Sequence, residues 1–371
     1  MKKKKCYPAA ALLLGFIAVM TVADLATPVR EKSEMENRPL KTAASFSLQK
    51  LWSGDFQKQY EEVVTDQFAG RDGWITIKSM TESALLKTEN NGILYGKNGA
   101  LFGKLTSYNE QQLSRNIYFL NEFAGKYDGV TFGVIPSGYT YSPDQLPIGA
   151  GQVDQRAVLA NLQTELDDTV QWMDADAVLA GLNSESLYYN TDHHWRGTTA
   201  CRFYQAYCAE KGYETFSEEE LTLREVPDFY GTYYSKCKKT DTKPDTLTYY
   251  DLPFTVKAVV DGEEKDGWYD AAAFDTRDKY AAFLYGNGGL TVLSREEISG
   301  DPKRMLLIKD SYSNTIAPLF LSEFDEVYVV DLRSYPVGIN ELCSGKDFDD
   351  ILVLYNFENL QSDKNFYRLE Y

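Results

Sequence analysis

Four apolar runs set the fold class. Residues 129–136 (GVTFGVIP), 305–308, 326–330 and 351–355 are nearly unbroken by polar side chains, so a strand built from any of them has no face fit for water. Helical patterns separate them, at 155–166, at 197–211 and beginning at 314–320. Segments 170–174 and 177–179 bracket a further short strand. Strand and helix alternating in this way predict an α/β fold, a mostly parallel sheet covered on both faces. With 371 residues, 43% of them hydrophobic, the chain has enough apolar surface for one large or two small domains.

Other segments depart from this alternation. Residues 213–304 carry β-type stretches at 247–250 and 254–260, with turns at Asp261-Gly262 and Asn287-Gly288, and read as a β-rich insertion. Upstream, Phe56, Tyr60, Val63, Val64 and Phe68 recur at helical spacing within 51–87. Glycines punctuate a strand-turn-strand signal at 92–103, and a second amphipathic helix fits 107–125. The expected organisation is a leader at 1–30, a tether with a helical extension at 31–105, and an α/β domain at 106–371 containing the insertion.

The leader has a recognisable form. Lys2 to Lys5 precede an uncharged run at 6–23, which fits either an uncleaved signal anchor or a cleaved signal peptide. Lysines on the short side keep that end cytoplasmic and send the body out. The chain holds 38 basic against 55 acidic residues, a net charge of −17, which disfavours nucleic acid as a partner. Beyond Cys6 there are Cys201, Cys208, Cys237 and Cys343, with no metal-binding spacing. Cys201 and Cys208 are too far apart on one helix to pair, and the set reads equally as disulfides or buried thiols.

Histidine occurs only at 193 and 194, so imidazole chemistry has one address. In YYNTDHHWRGTTA (188–200), an extended chain places Asp192 and His194 on one face and turns His193 away. A carboxylate beside an imidazole is the orienter and base of a hydrolytic triad. The same string also suits a structural histidine, and Asp192, His193 and His194 are a weak metal set. A nucleophile is available at Ser311, where strand 305–308 runs into a turn and then a helix whose first N–H groups face a developing oxyanion. Ser311 or Ser313 as an ordinary helix cap fits the local sequence as well. No GxSxG elbow exists, which disfavours a standard α/β-hydrolase.

The chain resembles the DHHW family of Gram-positive bacteria and, more distantly, the SGNH-hydrolase-like O-acetyltransferases of alginate modification. TDHHW at 191–195 carries the resemblance, supported in order by ENRPL (36–40), GDF (54–56), DQF with Arg71, GKNGALFG (96–103), KDSYSN (309–314) and DLR (331–333). The resemblance implies an SGNH-like three-layer domain with permuted motif order, in which Asp192 orients, His194 is the base and Ser311 the nucleophile. Lys309-Asp310 stand where the ordinary pattern has Gly-Asp. Gly286, Asn287, Asn314 and Trp195 are candidates for the oxyanion hole or substrate contact, and Asn287 also fits a plain hairpin turn. No cofactor or metal is implied. The implied function is an extracytoplasmic O-acetyltransferase acting on a cell-surface or secreted polysaccharide, membrane-attached or secreted, with a membrane-bound O-acyltransferase as acetyl supplier. A carbohydrate esterase with the same triad, or a catalytically silent surface protein binding glycan or a partner, are the alternatives.

Overall fold

A computed structural model of the chain describes residues 8–33, 38–182, 187–217, 219–298 and 300–371. The Lys2–Lys5 cluster, Cys6 and the Glu36-Asn37 pair of ENRPL lie outside the described residues. The chain forms two compact units, 1–87 with 238–240, and 88–237 with 241–371.

The first unit is helical. Helix Pro8–Ala26 is 19 residues long with mean hydropathy 2.2 and none of its length buried, long and apolar enough to cross a bilayer. The helical pattern of 51–87 is divided into Leu48–Ser53, Asp55–Gln67 and Arg71–Ala84. Gly54 and Gly70 break it at φ 82° and 68°, a left-handed conformation that costs glycine no side-chain clash. The polar stretch after the first helix is tied down rather than a loose tether. The Gln67 amide bonds both the N–H and the C=O of Arg30, each at 2.9 Å, and Asp66 accepts the Lys41 N–H at 2.9 Å.

The second unit is built on an eight-stranded sheet. Its strands are β1 (Val130–Ile135), β2 (Gln171–Met173), β3 (Val256–Val260), β4 (Glu263–Lys265), β5 (Leu290–Arg295), β6 (Arg304–Lys309), β7 (Glu326–Val330) and β8 (Asp350–Asn356). Across the sheet they run β4-β3-β5-β7-β6-β8-β1-β2. The stretch from β7 to β2 is parallel, while β5, β3 and β4 extend it antiparallel. The sheet is therefore mixed. The region read as an insertion contributes three of its strands, and among its described residues the hairpin of Thr222–Phe229 with Asp245–Asp251 stands apart as its own two-stranded sheet. Antiparallel neighbours explain the misreading, because strands with one wetter face lack the continuous apolar signature.

Alternation along the central strands feeds two cores. Met305, Leu307, Val327, Val329, Leu352 and Leu354 pack under helix Gly197–Lys211 through Phe203, Tyr204 and Tyr207. Leu306, Ile308, Ile351 and Val353 point the other way, against helix Glu110–Ala124 and the C-terminal Phe366 and Leu369. Residues 177–179 lie within helix Ala175–Ala180, begun by Asp174, whose carboxylate accepts the Ala177 N–H at 2.9 Å. The expected helix at 314–320 is replaced by two 3-10 turns, Ser311–Thr315 and Ala317–Ser322. Pro318 lacks the N–H that an α-helix would bond back to Asn314.

Candidate active site

Residues 187–196 close into a loop rather than a strand. Tyr188 bridges Trp195, the Arg196 N–H meets the Leu187 carbonyl at 2.9 Å, and the Tyr189 N–H meets that of His194 at 3.3 Å. Inside the loop the His194 N–H donates to Asp192 Oδ1 at 2.9 Å, a turn that aspartate makes readily. The same oxygen lies 2.5 Å from His194 Nδ1. The expected pairing of Asp192 with His194 is present, but the alternation invoked for it is not. His193 accordingly does not face away, and its ring centroid lies 3.9 Å from that of His194.

The hairpin outside the main sheet holds this loop. Asp245, at the start of its second strand, accepts the Asn190 N–H at 3.0 Å, the Thr191 N–H at 2.8 Å and the Thr191 hydroxyl at 2.7 Å. Asp192 Oδ2 takes the Thr232 N–H at 2.6 Å. Gly231 allows this approach, since a Cβ there would lie 2.2 Å from the Asp192 Cβ and Oδ2.

Ser311 stands just past the C-terminal end of β6, 117 residues from His194, with its Oγ 2.8 Å from His194 Nε2. Its turn is pinned from several directions. The Asp310 carboxylate accepts the Tyr312 N–H at 2.9 Å, the Asn356 N–H at 2.8 Å and the Asn359 amide at 2.7 Å. The Tyr280 hydroxyl donates to the Ser311 carbonyl at 3.0 Å, and the Tyr312 hydroxyl to the His193 carbonyl. An open α/β sheet gathers its sites at this edge, where strand ends converge.

His194 is clamped between flat rings. Tyr280 stacks on one side at 3.7 Å and 8° between planes, and His193 lies at 3.9 Å. Asp192 and His194 are almost fully buried, whereas His193 keeps 28% of its side chain exposed. Burial would raise the Asp192 carboxyl, but the two neighbouring histidines and the hydrogen bonds from His194 and Thr232 hold it well below the usual carboxylate range. Burial, then the neighbouring His194, pushes the His193 imidazole below its ordinary value.

The other candidates take different places. Asn314 is buried in the Ser311 turn, with its Nδ2 3.5 Å from the Oδ1 of Asn287. Asn287 is exposed and follows three consecutive left-handed residues, Leu284 (φ 52°), Tyr285 (φ 55°) and Gly286 (φ 94°). Such a run is costly for the two residues that carry side chains. Trp195 is fully buried and donates its indole N–H to the Tyr312 carbonyl at 2.8 Å. It holds the serine turn from within the core and has no surface to offer a substrate. Because the turn is 3-10 and short, the helix dipole expected behind Ser311 is absent, leaving local N–H groups as the available donors.

Asp192, His193 and His194 bring one ligand atom each within 4.8 Å of one another. The 2.5 Å between Asp192 Oδ1 and His194 Nδ1 suits a shared proton, because two ligands each about 2.0–2.2 Å from one zinc ion stand farther apart. Sequence reasoning did not find Tyr280, Gly231 or Thr232. The only trace of them is a glycine at 231, and Tyr280 is one of 27 tyrosines.

Comparison with known proteins places the chain. The DHHW protein family matches residues 149–330. No curated protein matches it. A DHHW family protein from Eubacterium siraeum superposes with TM-score 0.64 at 22% identity, over 76% of this chain and 96% of that one. Bacillus cereus PatB1, solved with a sulfonyl adduct, gives TM-score 0.61 at 19% identity, over 75% and 98%. The O-acetyltransferase domain of Pseudomonas putida AlgJ gives 0.48 at 13% identity, over 73% and 93%, too distant to carry an argument. At these identities the likeness is one of fold.

Proposed function

We propose that this chain, which belongs to the DHHW family, is an extracytoplasmic O-acetyltransferase acting on a cell-surface or secreted polysaccharide. The observation carrying this reading is the hydrogen-bonded series Asp192–His194–Ser311, with contacts of 2.5 and 2.8 Å, assembled at the carboxyl ends of the parallel strands of a mixed sheet. The fold shared with PatB1 supports it, since that protein holds a sulfonyl adduct, a group that activated nucleophiles accept. The reading includes an SGNH-like domain with the motif order Asp, His, Ser, and attachment or export through helix Pro8–Ala26.

In the first step Ser311 Oγ attacks the acetyl carbonyl while His194 Nε2 takes its proton. The ion pair with Asp192 stabilises the imidazolium and fixes its tautomer. The oxyanion is met by the Ser311 N–H, which has no partner within its own turn, and by the amide of Asn314, with Asn287 beside it. Collapse breaks the ester bond, and His194 returns the proton to the departing alkoxide. In the second step His194 deprotonates a sugar hydroxyl, which attacks acetyl-Ser311, and the serine recovers its proton. The acetyl donor is an ester presented at the membrane, fitting a membrane-bound O-acyltransferase as supplier.

The test is intact mass of residues 31–371 after treatment with an activated acetyl ester, with Ser311→Ala and His194→Ala alongside. A single acetyl adduct lost in both variants is expected. A folded wild-type protein that never acquires one would sink the proposal and favour a silent binding protein. Adding oligosaccharide then separates transfer from hydrolysis, since acetylated sugar marks a transferase and acetate alone an esterase.

A further inference from the structure

We infer that Lys309 is a positioning residue that sets the orientation of the Asn314 carboxamide, so that its N–H2 rather than its oxygen faces the reaction. This rests on the acyl-transfer reading above. Lys309 ends β6, two residues before Ser311, and is buried to 2% exposure among apolar strand residues. An ammonium there carries a desolvation penalty that an aliphatic side chain filling the same space would avoid. Its partners are few and specific. Nζ lies 2.7 Å from Asn314 Oδ1 and 3.8 Å from Asp331 Oδ2, and Asp331 is itself gripped by Arg333 at 2.9 and 2.6 Å.

The chemistry of the donor fixes the amide. An ammonium has three N–H groups and no acceptor, so the Asn314 atom facing it must be oxygen. The nitrogen is then turned to the opposite side. In a 3-10 turn, residues three apart eclipse, so Asn314 stands on the same side as Ser311. The contact from Nδ2 to Asn287 is 3.5 Å and reaches an exposed side chain, too weak a hold to select between the two flips. Lys309 supplies the selection. Without it the oxygen can turn towards the developing oxyanion and repel it.

The experiment compares Lys309→Met, Asn314→Ala and the double variant by acetyl-transfer kinetics, with melting temperatures as the folding control. Each single change lowers kcat by ~10²–10³ with KM nearly unchanged, the loss typical of one oxyanion donor. The double variant is no slower than Asn314→Ala alone, because the two residues act through one amide. Asn314→Asp adds an arm that keeps Lys309 paired and the turn folded while replacing the donor by a repelling oxygen, and its loss is at least as large as that of Asn314→Ala. Wild-type kcat in Asn314→Asp, a less than threefold loss in folded Lys309→Met, or multiplying losses in the double variant would each overturn the inference. Absence of any acetyl adduct on wild-type Ser311 overturns the acyl-transfer reading itself, and this inference with it.

Discussion

Gly231→Ala is the sharpest perturbation that the site allows without touching its chemistry. A Cβ at 231 falls 2.2 Å from both the Cβ and Oδ2 of Asp192, while ordinary contact begins at 3.4 Å, so one of the two must yield by about 1.2 Å. The burden falls on Asp192, or on the backbone at 231 whose N–H is tied to Thr191 Oγ1 at 3.0 Å. Asp192 holds its place through contacts of 2.5, 2.6 and 2.9 Å, and a shift of that size takes each beyond hydrogen-bond range. Misplacing a reacting group by ~1 Å costs about 10²-fold, and loss of the orienting carboxylate costs ~10⁴, so kcat should fall within that range. Overpacking should also lower stability by about 1–3 kcal/mol. The assay is the rate of Ser311 acetylation followed by intact mass, with urea unfolding in parallel. Gly345→Ala is the control, because a Cβ there meets nothing within 4 Å. A Gly231→Ala protein that acetylates at the wild-type rate would refute the argument that Asp192 works only where this glycine admits it.

Other outcomes follow from the same geometry. Burial brings the Lys309 ammonium down to about 8, with Asp331 opposing, Arg333 adding and Asp310 opposing. The unfolded chain keeps an ordinary lysine near ~10.4, so between roughly pH 8 and 10.4 unfolding takes up a proton, and stability rises with pH by at most ~3 kcal/mol. The stability difference between wild type and Lys309→Met should track that rise, and a difference that is flat with pH contradicts it. Trp195→Phe leaves the buried Tyr312 carbonyl without its 2.8 Å donor, so the urea midpoint should drop by the equivalent of about 1–3 kcal/mol with an unchanged slope; an unmoved midpoint removes Trp195 as the anchor of the serine turn. Cys343 is pushed up to about 11 by burial, against a hydrogen bond from Tyr127, so its reaction with a disulfide reagent at pH 7.5 should be ~10²-fold slower than in urea. Equal rates would mean that the thiol is open to solvent.

Much of the architecture was legible because buried parallel strands must be apolar throughout. Strands β1, β6, β7 and β8 announced themselves in this way, and helix Gly197–Lys211 appeared at its observed limits. Strands β3 and β5 lack that signature, since they are antiparallel and alternate buried with wetter positions, and so they read as part of a separate module. Asp192, His194 and Ser311 were named from local pattern and family resemblance, and the fold brings them together. The reasons differed from those expected. A turn joins Asp192 to His194, and a proline replaces the expected helix after Ser311 by 3-10 turns. What the sequence hides is contact made by residues distant along the chain, such as Tyr280 on His194 and Gly231 against Asp192, where one ordinary residue type matters only for what faces it.

The stacked rings around His194 bear on the order of events. An imidazole wedged between Tyr280 and His193 is held from turning over, so under the acyl-transfer proposal a single nitrogen aimed in a single direction must serve both alcohols. In the proposed exchange the spent donor leaves through the same spot that the incoming hydroxyl must enter. The two cannot be present together, and the deacetylated donor would compete with the glycan for one doorway.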